Sequence, residues 1–173
     1  MNNKLNKLEK LSKQLKPPET LGGVFLPKDS KKQFKFMFIG EMPSMNEPKN
    51  WDGKSNYNFD VGKRCDLLKA TMVKRGVGGS YATDIVKKRD IPRRLKEAEI
   101  LHWRPFLLKE IEIIRPKAII VLGRRTYEAS FKPFIGPKIS KKIKVDYVFH
   151  YGSQVPKKKF ERRFMEVVEK LSI

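Results

Sequence analysis

Four places in the chain set a chemically capable residue at the end of an apolar run. Phe34–Ile39 (FKFMFI) leads into Gly40-Glu41-Met42-Pro43-Ser44, and Tyr81–Val86 (YATDIV) carries Asp84. Ala118–Leu122 (AIIVL) is followed by Gly123-Arg124, and a run ending at Phe149 delivers His150-Tyr151-Gly152-Ser153. A carboxylate such as Glu41 can orient a water or take its proton, and a histidine can donate to charge developing on a leaving group. A glycine turn that opens a helix exposes backbone N–H groups suited to a phosphate. Singly, each has an ordinary explanation: Glu41 as a loop acid, Asp84 as a turn cap, His150 as a structural side chain. If the runs are parallel strands of one open sheet, all four sets meet outside its carboxyl edge, where such sheets bind ligands.

The surrounding pattern supplies that sheet. Ala118–Leu122 is a continuous apolar run, as expected of a central parallel strand covered on both faces. Ile143, Val145, Tyr147 and Phe149 alternate along a fourth strand that stops at His150. Between the strands lie helical stretches: one with Leu67, Leu68, Thr71 and Met72 on a face, ending near Gly76, and one opening near Pro105 with Phe106, Leu107, Ile111 and Ile114 inward. A third follows Gly123, and a last one after Pro156 carries Phe160, Phe164, Val167, Val168 and Leu171. Strands alternating with helices predict a three-layer α/β/α sandwich around a four-stranded parallel sheet. Leu5, Leu8, Leu11 and Leu15 form a helical stripe that Pro17 and Pro18 end. The expected organisation is therefore an amphipathic helix over residues 1–18 and one domain over residues 19–173.

Charge points to the partner. The chain has 39 Lys plus Arg against 19 Asp plus Glu, a net charge of +20 over 173 residues. Such an excess repels itself, and a phosphate backbone is the commonest partner that offsets it. A ribosome-associated role, an anionic membrane surface or a lysine-rich proteome are the alternatives. No stretch reaches the roughly 18 to 20 apolar residues of a membrane span, and the basic N-terminus lacks an apolar signal core. The expectation is a cytoplasmic monomer, nucleoid-associated if prokaryotic. Cys65 is the single cysteine and His102 and His150 are the only histidines, so the sequence offers no disulfide and no spacing that suggests a zinc site.

Four blocks in order resemble the uracil-DNA glycosylase superfamily, nearest its family 4 branch. FIGEMPSMNEP is similar to the family's G-E-A-P-G opening, NFDVGKRCDLL to P-F-V-G-R-A-G-x-L-L, and YATDIVKKR to Y-I-T-N-V-V-K-C-R. RPFLLKEIEIIRPKAIIVLGRRTYEA is the longest agreement, and HYGS stands where the family has H-P-S or H-P-A. The resemblance covers roughly residues 34 to 170. It implies that Glu41 places or activates the attacking water and that His150 donates toward uracil O2 as the base departs. It also implies a base pocket of Gly40, Met42, Phe59 and Asp84, with Phe59 stacking on the flipped base after a one-residue slip of the alignment. The loop Tyr151 to Lys159 corresponds to the one that enters the DNA minor groove. DNA contacts are thus expected from Ser44, Gly123, Arg124, Arg125, Tyr151, Ser153, Lys157, Lys158 and Lys159.

Two departures qualify what the resemblance implies. Family 4 enzymes carry a four-cysteine iron–sulfur cluster, but here Lys88 and Trp103 stand at two ligand positions and the N-terminal pair is absent. No iron–sulfur cluster and no other cofactor are expected, with the leucine stripe and the Trp103 region taking over its structural role. Asp84 stands where the family uses an asparagine that accepts from N3–H and donates to O4. An ionised aspartate would face O4 with a second acceptor. Three outcomes follow: a protonated Asp84 that mimics asparagine, a shift to another deaminated base, or lost activity. Met42 occupies a position where some branches carry a water-activating Asp or Asn, which leaves Glu41 as the main candidate and Asn46 and Glu47 as substitutes. The sequence therefore predicts a monofunctional DNA glycosylase acting on DNA with a deaminated base. The alternatives are a glycosylase-like protein that binds nucleic acid without excising a base, and a ribosome-associated basic domain.

Overall fold

The computed structural model describes residues 2–15, 20–43, 59, 64–88 and 95–172. Strand β2, Gln33–Gly40, alternates its buried side chains between two apolar layers. Phe36 and Phe38 join one layer, and Met37 and Ile39 join the other. Strand β4, Ala118–Leu122, divides in the same way, Ala118, Ile120 and Leu122 against Ile119 and Val121. A strand apolar at every position must be covered on both faces, which is why this pattern produces a three-layer sandwich.

The sheet has five strands in the order β1-β3-β2-β4-β5, where β3 is Ser80–Asp84 and β5 is Lys144–Val148. β3, β2, β4 and β5 pair in parallel, as the sequence predicts. The expected count of four lacks β1, Val24–Leu26, which pairs antiparallel with β3 at the edge. Three residues are too few to show a periodicity of 2, so nothing local announces this strand.

Helices α2 (Cys65–Lys74) and α5 (Lys157–Ser172) cover the first face. Phe160, Phe164, Val167, Val168 and Leu171 of α5 are buried at helical spacing, and Phe164 stacks on Phe38 with centroids 5.8 Å apart. Helices α1 (Asn2–Ser12) and α3 (Glu97–Ile114) cover the second face and pack on each other. Leu8, Leu11 and Leu15 are buried, as the leucine stripe requires; Pro17 and Pro18 lie outside the described residues.

Helix α3 does not open near Pro105. It begins at Glu97, with Glu99 Oε2 accepting the Lys96 N–H at 2.8 Å, and Pro105 lies inside it. The hydrogen bond that proline cannot make would go to Leu101, one of two exposed large apolar residues among the described residues. After Gly123 the chain forms a wide π-helical stretch, Thr126–Phe131, continued by the short α4, Lys132–Phe134, and a 3-10 turn, Gly136–Lys138. Among the described residues no helix is long and apolar enough to cross a membrane.

Candidate active site at the strand-end rim

The parallel register sets Gly40 directly beside Asp84 at the carboxyl ends of β2 and β3. A Cβ at residue 40 would overlap Asp84 Oδ1 and lie 3.6 Å from Phe59 Cε1. Glycine is therefore required here by close approach, so that the carboxylate and the aromatic ring can meet over bare backbone. Asp84 is 2% exposed and Phe59 1% exposed. The sequence-predicted base-pocket residues Gly40, Phe59 and Asp84 are brought together.

A polar network that sequence reasoning missed supports this strand end from behind. Lys87 Nζ, fully buried, donates to the Asp84 carbonyl at 2.5 Å, to Thr83 Oγ1 at 2.5 Å and to Glu110 Oε2 at 2.6 Å. Glu110 Oε1 also accepts from Tyr81 Oη at 2.7 Å, and burial pushes the Tyr81 phenol well up, with the Glu110 charge adding to it. Every charge in this network has a partner, as the buried setting demands.

Glu41 follows Gly40 and is half-buried. Burial raises its pKa above the usual glutamate value, while the charge of Arg125 opposes the rise. Its main chain is held by the Val86 N–H, which donates to the Glu41 carbonyl at 3.1 Å. Met42 packs, partly buried, against the apolar layer shared with α1 and α3. Ser44, Asn46 and Glu47 lie outside the described residues.

His150 reaches the rim from β5. Gly123 N–H donates to the Val148 carbonyl at 2.9 Å and ties the two strand ends together. Gly123 has φ +114°, and a Cβ there would stand 3.2 Å from Thr126 Oγ1 and 3.6 Å from His150 Cβ. The imidazole stacks on Tyr151 with centroids 4.5 Å apart. The Gly152 N–H donates to His150 Nδ1 at 3.0 Å, which makes Nδ1 an acceptor and leaves the proton of the neutral ring on Nε2. Desolvation by the surrounding chain lowers the His150 pKa from its ordinary value. In its neutral form the exposed imidazole therefore offers an Nε2 N–H donor at the rim.

Tyr151, expected on the DNA-facing loop, instead turns inward. It is 7% exposed and belongs to the same apolar layer as Phe59 and Cys65. Burial drives its phenol pKa far up, reinforced by the charges of Cys65 and Asp84 and a hydrogen bond with Cys65. Ser153 Oγ is buried without a hydrogen-bond partner among the described residues. Arg64, another residue that sequence reasoning missed, holds the loop by donating to the Ser153 and Val155 carbonyls at 2.8 and 2.5 Å. Nothing in the local sequence around Arg64 signals that reach across the chain.

Around this rim the cations are exposed. Arg125, Lys157, Lys158 and Lys159 face solvent, and Arg124 pairs with Glu128 at 2.9 Å. Lys157, Lys158 and Lys159 sit on the first turn of α5 and not in the loop before it. Lys159 Nζ lies 5.7 Å from the centre of the Phe149 ring.

The residues present do not fit an iron–sulfur cluster. Lys88 bridges Thr20 through main-chain pairing, and Trp103 packs, partly buried, on the α3 side with its ring edge-on to His102. Cys65, the single thiol, is buried on α2 beside Tyr151. Cluster iron is held by several thiolates, and neither lysine nor tryptophan replaces one. Among the described residues no three His, Cys, Asp or Glu side chains gather as a metal site.

Comparison with known proteins agrees with the family resemblance of the sequence blocks. Residues 27–171 match the family model described as the uracil DNA glycosylase superfamily. The chain is 34% identical over 108 residues to the type-4 uracil-DNA glycosylase of Saccharolobus solfataricus, covering 62% of this chain and 49% of that protein. It is 33% identical over 134 residues to the type-4 uracil-DNA glycosylase of Sulfurisphaera tokodaii, covering 73% of this chain and 57% of that protein. The chain thus spans about half the length of these relatives. With most of its length matched and its glycine, carboxylate and histidine assembled at one strand-end rim, the chain belongs to the uracil DNA glycosylase superfamily.

Proposed function

We propose that this protein is a monofunctional DNA glycosylase that hydrolyses the N-glycosidic bond of uracil or another deaminated base in DNA. The observation that carries the reading is the His150 geometry: the Gly152 N–H donates to Nδ1, which leaves Nε2 as the donor of the neutral ring. A base inside a duplex is out of reach, so it is flipped into the rim pocket. Stacking on Phe59 requires this ring, 1% exposed, to be uncovered as the base enters. When the bond between C1′ and the base breaks, its electron pair goes to the base, and His150 Nε2–H stabilises the anion at O2. Glu41 orients the water that adds to C1′ and accepts its proton, leaving an abasic site and the base anion, which takes a proton from solvent as Glu41 returns one to it. Arg124, Arg125 and Lys157 to Lys159 hold the phosphate backbone, while the buried Ser153 Oγ does not reach it.

Asp84 determines which base is read. A protonated carboxyl presents an acceptor for N3–H and a donor for O4, so uracil excision through it declines as pH rises. An Asp84→Asn variant that is equally active with no change in pH dependence would overturn that assignment. No cofactor takes part in this reading; iron analysis and a visible spectrum of protein purified with and without air should show no cluster.

The test is an oligonucleotide panel carrying uracil, hypoxanthine, xanthine or a T:G mismatch, with Glu41→Ala and His150→Ala beside the native protein. Alkali-labile cleavage of one substrate, lost in both variants, is expected. Cleavage of none with DNA binding retained would instead make the protein a nucleic-acid binder that excises nothing. That alternative draws on Asp84 facing a base that asks for an amide.

A further inference from the structure

A second concentration of positive charge lies at the opposite end of the sheet from the rim. Helix α3 ends at Ile114, and Arg115-Pro116-Lys117 leads into the amino end of β4. There α1 and α3 enclose a cleft of about 500 Å³ whose lining includes Lys4, Lys7, Lys10, Lys109 and Arg115. The one acid in its lining, Glu112, is paired with Lys109 at 2.7 Å. Five cations to one acid is far above the 39 to 19 of the whole chain, so general basicity does not account for it.

One of these cations, Lys4, is fixed and lies near another, Arg115. Lys4 Nζ donates to the Ile114 carbonyl at 2.6 Å and lies 4.7 Å from the centre of the Phe34 ring. Part of this charge complements the carboxyl end of α3, where cations are favoured within the last turn. The remainder is in excess: burial and the neighbouring Arg115 charge both lower the Lys4 pKa. An anion placed between α1 and α3 relieves that repulsion.

We infer that this cleft is a second binding site for a nucleic-acid phosphate backbone, separate from the rim, so that one molecule engages two duplex segments. The choice of a nucleic acid rests on the proposed action on DNA and on the chemistry of the lining. Lys4, Lys7 and Lys10 follow one another at steps of about 4.5 Å along α1, a row that suits a linear polyanion better than a single phosphate. Asn3, on α1, and Gln14 add neutral donors of the kind that contact phosphate oxygens. The apolar lining residues Leu11 and Ile113 are only 9% and 8% exposed, leaving little to insert into a lipid surface. The five residues of β4 alone span about 16 Å, and the two ends of the sheet face opposite ways. A duplex held at the rim therefore leaves the cleft free for another segment, which would let the protein pass between DNA segments without release.

The test uses the full chain bound to an immobilised uracil-free duplex and offered a second, fluorescent duplex of unrelated sequence. The native protein should capture the second duplex. Lys7→Glu/Lys10→Glu/Arg115→Glu should lower capture at least tenfold, and the neutralising Lys7→Gln/Lys10→Gln/Arg115→Gln should flatten its salt dependence by a slope of about 3. Excision from a single short duplex should be unchanged in both. Capture undiminished by both triple variants would overturn the inference, as would displacement by poly-glutamate or anionic vesicles with no capture of DNA. Bridging without excision of any base would sustain the inference while the proposed glycosylase activity fell; excision without bridging would do the reverse.

Discussion

Lys87 Nζ donates to the main-chain carbonyl of Asp84 at 2.5 Å while its charge is matched by Glu110 at 2.6 Å. A buried ion pair thus holds the backbone of the candidate base-reading residue at the strand-end rim. The arrangement separates two tasks on the same strand end: Asp84 faces the site, and Lys87 and Glu110, 0% and 1% exposed, anchor its backbone.

Lys87→Met should destabilise the fold by about 3–5 kcal/mol, because it leaves Glu110 buried and uncompensated. Lys87→Met/Glu110→Gln should recover most of that loss, since it removes both charges together. Denaturant unfolding of the two variants measures this. A double variant no more stable than the single one would show that the pair's charge balance is not what matters.

Gly40→Ala places a methyl group on Asp84 Oδ1. Overpacking of this kind costs about 1–3 kcal/mol, and excision should fall because either the carboxylate or β2 must shift. Gly40→Ala/Asp84→Gly should regain stability and not activity. Unfolding curves and excision rates, taken side by side, separate the two effects.

The activity should rise with pH along a limb set by Glu41, which must be ionised to act as a base. Burial raises its pKa, so the limb should lie above the range of an ordinary glutamate. Arg125 opposes that rise; Arg125→Gln should therefore move the limb to still higher pH. Glu41→Gln should cost roughly 10²–10⁴ in rate. The linkage to stability has the same origin. With a folded-state pKa above the unfolded one, ionisation favours unfolding as pH climbs, and Glu41→Gln should raise Tm at neutral pH but not below the unfolded pKa. A limb unmoved in Arg125→Gln would disprove the electrostatic link.

His150 should titrate below its ordinary value and remain neutral at pH 7, with its proton on Nε2. Nitrogen chemical shifts of the ring, followed from pH 4 to 9, report both quantities. His150→Ala should reduce the single-turnover rate about 10²–10³-fold, the usual cost of losing one preorganised donor. An Nδ1–H tautomer at neutral pH would be incompatible with the Gly152 hydrogen bond.

Part of this site was legible in the chain because it is written locally. FKFMFI and AIIVL are apolar at nearly every position, and such runs have to become doubly covered strands wherever they fall. Once they do, Gly40, Glu41, Asp84, Gly123 and His150 must lie at one edge, since parallel strands share a carboxyl end. The leucine stripe of α1 and the apolar face of α5 were equally local.

Tertiary packing decided the rest. Strand β1 exists through hydrogen bonds to β3, not through any pattern in its three residues. Tyr151 follows His150 in a motif that reads as a surface loop, yet it is buried because Phe59 and Cys65 leave an apolar place for its ring. Lys87, just past the end of β3, and Glu110 of α3 are 23 residues apart, and no periodicity relates them. The positive charge, evident from composition alone, was divided between a rim and a cleft only when α1 settled on α3. Hydrophobic periodicity acts within a strand or a helix and so survives in the sequence. A charge's partner and a ring's depth depend on which surfaces meet.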